Sequence, residues 1–291
     1  MVVDMDQAGL ETYLLRIGLG ARPAADAAGL AALQFAHRQA IGFENFDVML
    51  GRGISLDLER IFAKLVRGQR GGYCFEHNLL FAAMLRALGL PCRMLLARVW
   101  LGMTIEGAAP QAVPPRTHML LLVDAGEQLW LADAGFGAAY LPPLLLREGA
   151  SATSPDGARH RLRRLRPRGG IAGEWVIERA GAASATDGRA LDHEGWQAQY
   201  SFDLTEVAPN DLEMSNHWTS SRAESRFTQL HLASIVLPQG FASLNGTRMT
   251  MHHQGRADTM ELRDPEDYRA ALADLFRIVL SGDEVMALGV F

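Results

Sequence analysis

Residues 70–78 read Arg-Gly-Gly-Tyr-Cys-Phe-Glu-His-Asn, and in this stretch two glycines lead directly into a helical pattern. The glycines permit a sharp turn, and the apolar spacing from Cys74 to Leu88 predicts a helix that ends at Gly89. Cys74 then lies in the first helical turn, where unpaired N–H groups and the helix dipole favour a thiolate and can form an oxyanion hole. The residues alone leave a second interpretation open, a buried structural cysteine.

A thiolate nucleophile needs a base, and the base needs an orienting group. His118 begins one apolar strand pattern and Asp133 ends the next, with Ala125-Gly126 between them as a two-residue hairpin signal. In that register paired residue numbers sum to 251, so His118 faces Asp133 directly, with Cβ atoms ~5 Å apart. A purely structural hydrogen bond between them is the alternative. Together with Cys74, the pair favours a Cys-His-Asp triad in a papain-like arrangement.

Helical patterns occupy the first 90 residues, and strand patterns follow Pro91. This segregated order predicts an α+β fold rather than a doubly wound sheet. The predicted helices cover residues 9–17, a stretch opened by Pro23, residues 55–68, residues 74–88 and a late helix capped by Asp264-Pro265. The predicted strands cover residues 92–102, 117–124, 127–133 and 174–179, and residues 244–247 (Leu-Asn-Gly-Thr) form a further hairpin turn.

Composition bounds the class of protein. The chain has 291 residues, of which 48% are hydrophobic and 21% charged, so it is globular and long enough for two or three domains. Two cysteines exclude a disulfide framework or a zinc-finger array. The single lysine, Lys64, is not part of a phosphate-binding Gly-Lys-Ser/Thr loop. A net charge of −5 predicts no general attraction to nucleic acid or anionic membrane. With no visible targeting or membrane-spanning segment, we expect a cytoplasmic protein.

Two other groups of residues allow alternative functions. The arginine-rich segment 159–168 could bind phosphates of a nucleotide-bearing cofactor or RNA, but a solvated strand or loop is favoured because no aromatic residues interleave. His77 could join Cys74, Cys92 and His118 around zinc, although this spacing matches no structural zinc pattern. We therefore predict no metal and no nucleic-acid partner.

These motifs, taken in order along the chain, resemble those of bacterial arylamine N-acetyltransferases. The stretches that carry the resemblance are residues 43–48 (FENFDV), 70–76 (RGGYCFE), 117–123 (THMLLLV), 133–137 (DAGFG) and 225–227 (SRF). Two positions depart from the family pattern: Gly42 stands where proline is frequent, and Ala134 stands where valine is usual. Residues 147–195 match no part of the pattern.

The resemblance implies three parts and one reaction. The parts are a helical bundle (1–90) that carries the nucleophile, a central antiparallel β-barrel (91–200) that carries the base and the orienting acid, and a C-terminal α/β lid (201–291). The reaction is ping-pong transfer of an acetyl group from acetyl-CoA, the co-substrate, to an arylamine, arylhydrazine or N-hydroxyarylamine, as in xenobiotic metabolism.

The resemblance also implies roles for individual residues. Cys74 would be the acetylated nucleophile, His118 the base and Asp133 its orienting acid. The loop Gly135-Phe136-Gly137 would line the acyl and CoA entrance. Phe43 and Phe227 would form an aromatic wall around the thiol, to which Trp100 would add.

Several alternatives stay open at this point. The same triad would serve an amide synthase that takes a longer acyl chain from a carrier, or a cysteine hydrolase or transglutaminase-like enzyme. A module that binds anions through residues 159–168 without catalysis is a third class. The sequence gives neither the natural acceptor nor the acyl-CoA preference, and it leaves the oligomeric state open, including a homodimer.

Overall fold

The N-terminal part of the chain is helical, as shown by a computed structural model that describes residues 5–138, 140–165, 170–181, 195–253 and 256–291. Asp6, Asp26 and Asp57 begin three of the helices, and each side chain accepts a hydrogen bond from the N–H three residues later. The cap at Asp26 corrects the predicted start at Pro23, which lies before the helix. The helices are α1 (Gln7–Arg16), α2 (Ala27–Ala40), α3 (Phe46–Met49), α4 (Leu58–Phe62) with a π turn at Ala63–Arg67, and α5 (Cys74–Ala87).

An antiparallel eight-stranded sheet curls into a nearly closed barrel in the middle of the chain. Its strand order is β5-β4-β3-β2-β9-β8-β7-β6, and the two ends of this series lie close together. The strands are β2 (Cys92–Val99), β3 (Arg116–Asp124), β4 (Leu129–Ala132), β5 (Leu144–Leu145), β6 (Ser151–Thr153), β7 (Arg159–Arg164), β8 (Trp175–Ala180) and β9 (Gln197–Phe202), with a short 3₁₀ turn (Pro110–Ala112) after β2.

A second antiparallel sheet, which we call the C-terminal sheet, has the order β1-β10-β11-β12-β13. Its first strand, β1 (Phe43–Glu44), comes from the helical region, so the sheet joins both ends of the chain. Helices α6 (Pro209–Ser221) and α7 (Arg226–Gln229) precede the remaining strands of this sheet along the chain. The remaining elements are β10 (Leu232–Leu237), β11 (Gly240–Asn245), β12 (Arg248–His253), β13 (Arg256–Glu261), α8 (Pro265–Asp274) and α9 (Gly282–Ala287). The predicted α+β class with an antiparallel barrel is confirmed.

Strand β3 is buried on both faces, which explains its unbroken apolar run. Met119, Leu121 and Val123 belong to the core shared with the helices, whereas Leu120 and Leu122 belong to the core inside the barrel. Alternation along the strand therefore directs even-numbered residues toward the barrel interior. No helix among the described residues is long and apolar enough to cross a membrane.

Both predicted hairpins have the right loop length but turn one residue later than expected. Ala125 N–H donates to Gln128 O, so the central pair is Gly126-Glu127, whose φ angles of 67° and 64° fit a type I′ turn. In the second hairpin Asn245 pairs with Arg248, which leaves Gly246 (φ 59°) as the first turn residue. In both turns glycine takes the first central position, where a positive φ is required.

Candidate active site

Cys74 is the first residue of α5, and charged side chains hold the turn before it. The Glu76 carboxylate accepts a hydrogen bond from the Tyr73 N–H at 3.0 Å, as in a capping box. Lys64, the only lysine, donates to the other oxygen of Glu76 at 2.8 Å and to Asp47 at 2.7 Å. The start of α5 is therefore held in place by a partly buried ion cluster.

The Cys74 thiol lies against the backbone on either side of His118. Its Sγ donates to the carbonyl oxygen of Thr117 at 3.9 Å, and the Met119 N–H lies within hydrogen-bond reach of the sulfur. His118 itself is buried, and its ring packs 5.0 Å from the ring of Phe136. Strand β3 thus brings the candidate base beside the candidate nucleophile.

His118 and Asp133 form the expected pair. The distance from His118 Nε2 to Asp133 Oδ2 is 2.6 Å, so the N–H of the imidazole lies on Nε2 and Nδ1 stays free to accept a proton. The observed pairs between β3 and β4 sum to 253 rather than 251. Extended past Ala132, that register places Asp133 opposite Leu120 and diagonal to His118 on the same face, within side-chain reach. Changing the pair sum by two keeps each side chain on the same face of the sheet. The contact between His118 and Asp133 therefore forms although the predicted register was wrong.

The Asp133 carboxylate accepts four further hydrogen bonds. They come from Asn78 Nδ2 (3.1 Å), the Gly135 N–H (2.9 Å), the Phe136 N–H (3.0 Å) and the Tyr200 hydroxyl (2.9 Å). Burial alone would raise the pKa of Asp133, but the His118 contact and these donors together lower it. The carboxylate is therefore ionised and held in one orientation.

Sequence reasoning missed the residues that support Asp133 from other elements. Asn78 on α5 donates to the Met119 carbonyl and accepts from the Ala134 N–H, and Gln34 on α2 accepts from the Asp133 N–H at 2.9 Å. Tyr200 on β9 packs its ring 4.9 Å from that of His118. Gln34 is a polar residue within an apolar segment, a pattern that signals a buried hydrogen-bond partner, whereas Asn78 and Tyr200 have polar neighbours and carry no such signal.

A cavity of about 890 Å³ opens on the thiol. Cys74 and His118 line it, together with every residue of the predicted entrance loop and two of the predicted aromatic residues: Phe43, Gly135, Phe136, Gly137 and Phe227. The rings of Phe43 and Phe227 lie 6.1 Å apart. These predicted site residues are thus brought together around one cavity, and Asp133 lies behind His118.

Close contacts leave no room for a Cβ at Gly135 and little room for one at Gly137. A Cβ at Gly135 would lie 2.6 Å from the carbonyl oxygen of Cys74, and one at Gly137 would lie 3.2 Å from the ring of Phe43. The loop can approach α5 and Phe43 this closely because it carries no side chain at these positions.

Trp100 is the exception among the predicted site residues. Its indole is completely buried in a separate cluster with Ile105, Leu165 and Val176, and its Nε1 donates to Ser201 Oγ at 2.7 Å. The side chain therefore packs against the barrel wall and does not line the cavity. The expectation that Trp100 adds to the aromatic wall is corrected accordingly.

The thiol does not have the low pKa expected at the start of a helix. Burial raises the pKa of Cys74, and the charge of Asp133 raises it further. Backbone N–H groups of Met119, Phe75 and Cys74 act in the opposite direction but are outweighed. The thiol is therefore neutral until a base takes its proton.

The residues considered above for a zinc site and for phosphate binding, His77 and the arginine-rich segment 159–168, have other partners. His77 Nδ1 contacts His37 and its Nε2 donates to the Gly42 carbonyl, so both ring nitrogens are engaged away from Cys74. In the arginine-rich segment, Arg161 and Arg163 bind Glu178. Residues 166–168 of that segment lie outside the described residues.

Comparisons with known proteins agree with the geometry. A family model described as N-acetyltransferase matches residues 26–285. The arylamine N-acetyltransferase of Escherichia coli (strain K12) is 35% identical over 282 residues, which cover 97% of this chain and 89% of that protein. The chain belongs to the arylamine N-acetyltransferase family.

Solved structures of the same family share the whole fold. The arylamine N-acetyltransferase from Salmonella typhimurium has a TM-score of 0.85 and 32% sequence identity, covering 99% of this chain and 100% of that one. The Mycobacterium marinum enzyme, solved in complex with CoA, has a TM-score of 0.82 and 28% identity, covering 96% and 97%. This chain is therefore an acyltransferase of that family.

Proposed function

We propose that the chain transfers an acetyl group from acetyl-CoA to an arylamine, arylhydrazine or N-hydroxyarylamine through an acetyl-Cys74 intermediate. The observation that carries the proposal is the 2.6 Å contact between His118 Nε2 and Asp133 beside Cys74 at the cavity. Family membership supports acetyl transfer, and the relative solved with CoA supports acetyl-CoA as the co-substrate.

In the first half-reaction the thiol of Cys74 loses its proton to His118 Nδ1 as the sulfur attacks the thioester carbonyl. A new sulfur–carbon bond forms, and the bond to the CoA sulfur breaks. His118 then returns the proton to the departing CoA thiolate. One thioester replaces another, so the exchange is close to balanced. Asp133 stabilises the imidazolium that forms in between.

In the second half-reaction the amine nitrogen attacks the acetyl carbonyl of acetyl-Cys74. His118 accepts a proton from the nitrogen, the carbon–sulfur bond breaks, and the thiolate of Cys74 takes up the proton from His118. Arylamines are weakly basic and largely neutral at pH 7, so the nitrogen lone pair is available. The rings of Phe43, Phe136 and Phe227 provide a flat apolar wall that suits such an acceptor and limits water.

The C-terminal sheet offers a polar path for the long arm of acetyl-CoA. Ser234, Ser243, Thr250 and Thr259 are paired across β10, β11, β12 and β13 and all line the cavity. We call these four residues the hydroxyl row. With strands ~4.8 Å apart it extends for about 14 Å. Ser234 is buried and receives a hydrogen bond from the Ala138 N–H, whereas Thr259 is exposed at the outer end.

A basic residue lies beside the outer part of the hydroxyl row. Arg248, on the same face of β12 as Thr250, is exposed and lines the cavity. The phosphates of CoA need a positive charge at the mouth of the site, whereas its amides need hydroxyl partners deeper inside. We therefore propose that the hydroxyl row binds the amide-bearing arm and that Arg248 lies near the phosphates.

A mass measurement tests the proposed function. After incubation with acetyl-CoA and no amine, the intact protein should gain one acetyl group, and peptide mapping should place it on Cys74. Cys92→Ala, which changes the other thiol, should still form the adduct, whereas Cys74→Ala should not. A folded protein that forms no adduct would contradict the proposal.

The same experiment separates the alternative reactions. A cysteine hydrolase would release acetate in the absence of amine, and an amide synthase would prefer a longer acyl chain on a carrier. Addition of an arylamine should instead discharge the acetyl-enzyme at least tenfold faster than water does. The aromatic walls around the thiol favour this outcome, because a hydrolase needs water at the same position.

A further inference from the structure

Arg38 carries a buried guanidinium next to the Asp133–Gly137 loop. It lies in the last turn of α2 and is 1% exposed. One terminal nitrogen donates to the carbonyl oxygen of Phe136 at 3.1 Å, and the other, NH1, finds no hydrogen-bond partner within the described part of the chain. Burial of a guanidinium with an unpaired nitrogen costs desolvation free energy, so a cation at this position needs a compensating interaction.

Helix α2 holds the segment after β4 at three points. One turn before Arg38, Gln34 accepts from the Asp133 N–H and donates to the Leu141 carbonyl at 2.7 Å. Together with the bond to Phe136, these contacts fix both ends of the loop that carries Asp133 and lines the cavity. Arg38 is the member of this set that brings a full charge.

The net charge of the site explains why a cation is favourable at the position of Arg38. When the proton moves from Cys74 to His118, the thiolate and the imidazolium cancel, and the carboxylate of Asp133 leaves a net charge of −1 in a buried region. That charge opposes thiolate formation, since Asp133 raises the pKa of Cys74. A guanidinium at Arg38 returns the sum to zero. Burial lowers the pKa of Arg38 to about 10, and the negative charge of Asp133 acts in the opposite direction.

The charged groups beneath the start of α5 are paired with one another, Lys64 with Glu76 and Asp47, whereas the buried histidines and phenols nearby are neutral. Burial, with the charge of Arg38 contributing, holds the pKa of His37 and His77 well below the usual histidine value. Burial raises the pKa of the buried phenols Tyr73, Tyr140 and Tyr200. Arg38 therefore adds a cation that interacts with Asp133, behind the loop that lines the cavity, while the charges beneath Cys74 are already paired.

We propose that Arg38 is a positioning residue that holds the Asp133–Gly137 loop through the Phe136 carbonyl and offsets the charge of Asp133 when Cys74 becomes a thiolate. It acts through Asp133 and the loop and does not touch the reacting atoms. The inference rests on the proposed roles of Cys74, His118 and Asp133.

The pH dependence of Cys74 alkylation tests the charge directly. In a Cys92→Ala background, iodoacetamide reacts with the remaining thiol, Cys74, and its rate constant is measured from pH 5 to pH 10. In Arg38→Met the rise of this rate should move to higher pH by about half to one unit, because the offsetting charge is lost. Arg38→Lys keeps the charge and should stay within about 0.3 units of the parent.

Arg86→Met is the matched control. Arg86 on α5 also donates from a guanidinium to a backbone carbonyl, that of Cys92, at 3.1 Å, but it lies at the far end of the helix from Cys74. Its profile should match the parent. A merely structural role for Arg38 would lower the amount of folded protein without moving the profile.

Three outcomes would overturn the proposal: an unchanged profile in Arg38→Met, a shift of equal size in Arg86→Met, or a shift in Arg38→Lys as large as in Arg38→Met. If Arg38→Met does not fold, Arg38→Gln replaces it with the same expectation. Alkylation needs neither acetyl-CoA nor amine, so this test stands even if the acetyl adduct on Cys74 is not found.

Discussion

At the scale of single residues, the orientation of His118 depends on Asp133 being a carboxylate. Both carboxylate oxygens of Asp133 accept hydrogen bonds from donors. An asparagine at this position would place an NH₂ group against some of these donors. Asp133→Asn should therefore favour the wrong imidazole tautomer and lower the transfer rate by about 10³–10⁴-fold. Steady-state kinetics with acetyl-CoA and an arylamine would measure this loss.

Tyr200→Phe is the control for this prediction. It removes one donor to Asp133 while keeping the ring against His118 and Phe136, so we expect a loss of about tenfold or less. Thermal unfolding of both variants would show whether the fold is retained. Equal losses in the two variants would mean that Asp133 does not act through the imidazole.

The three residues of the proposed triad could be predicted from the sequence, but the residues that support them could not. Cys74, His118 and Asp133 each stand out locally, at a helix start or at the end of an apolar strand. Tyr200 and Gln34 are far along the chain from Asp133, and their contacts depend on how β9 and α2 pack. Trp100 shows the same limit, because an aromatic residue near the site in sequence points into a different cluster.

At the scale of elements, the hydroxyl row predicts a change in co-substrate binding rather than in chemistry. Thr250→Val removes a hydroxyl that faces the cavity and contacts Thr259 at 3.1 Å, with little change in shape. Loss of one hydrogen bond of about 0.5–1.5 kcal/mol should raise KM for acetyl-CoA roughly two- to tenfold. The kcat and the KM for the amine should stay near the parent values.

Met251→Leu is the matched control for the hydroxyl row. Met251 follows Thr250 on β12 but points to the opposite face of the sheet, where it packs against the core near α8 and α9. Its KM for acetyl-CoA should not change. If Thr250→Val leaves that KM unchanged as well, the arm of the co-substrate does not lie along this row.

The hairpins show why elements are predicted better than their registers. Both loops have two residues, as expected, yet both turn one residue later because glycine takes the first central position. Each one-residue displacement of the turn changes the pair sum by two, which keeps every side chain on its predicted face. The contact between His118 and Asp133 therefore followed from a register that was wrong in detail.

At the scale of the whole molecule, Gly42 shows how the two ends of the chain constrain each other. A Cβ at this position would lie 2.4 Å from the backbone carbonyl of Phe276, in the segment after α8. This contact leaves no room for a side chain at residue 42. The proposed division at residues 1–90, 91–200 and 201–291 stays a prediction, and β1 in the C-terminal sheet shows that the first and last parts are interleaved.

Gly42→Ala should therefore destabilise the protein by about 1–3 kcal/mol, because backbone atoms must move to make room. Gly20→Ala is the control, since a Cβ there would meet nothing within 4 Å and its φ is not positive. Urea unfolding of the two variants measures the difference. A Gly42→Ala protein as stable as Gly20→Ala would show that the segment at Phe276 yields without cost.

The dependence of stability on pH is governed by buried neutral histidines. Tyr13 OH donates to His37 Nδ1, His37 Nε2 to His77 Nδ1, and His77 Nε2 to the Gly42 carbonyl, so neither ring needs a second proton. Burial holds the pKa of both well below 6.5, and it lowers that of His160 to about 3 and that of His252 to about 4.

The sign of the effect follows from these lowered values. In the unfolded chain each histidine titrates near 6.5, so below that pH the unfolded state binds more protons than the folded one. Their contribution to stability is complete above pH 6.5 and is lost as the pH falls toward the folded pKa. The free energy of unfolding should therefore drop by about 1.4 kcal/mol per pH unit for each such histidine, before most carboxylates titrate.

His77→Gln isolates one of these groups. A glutamine can donate to the Gly42 carbonyl and accept from His37, so the hydrogen-bonded chain is retained without a titrating ring. Urea unfolding between pH 7.5 and pH 5 should then show a slope that matches the parent above pH 7 and is lower by about 1.4 kcal/mol per pH unit below pH 6. His217→Gln, at an exposed position on α6, should leave the slope unchanged. Identical slopes in all three proteins would mean that His77 takes up its proton as readily in the folded state as in the unfolded one.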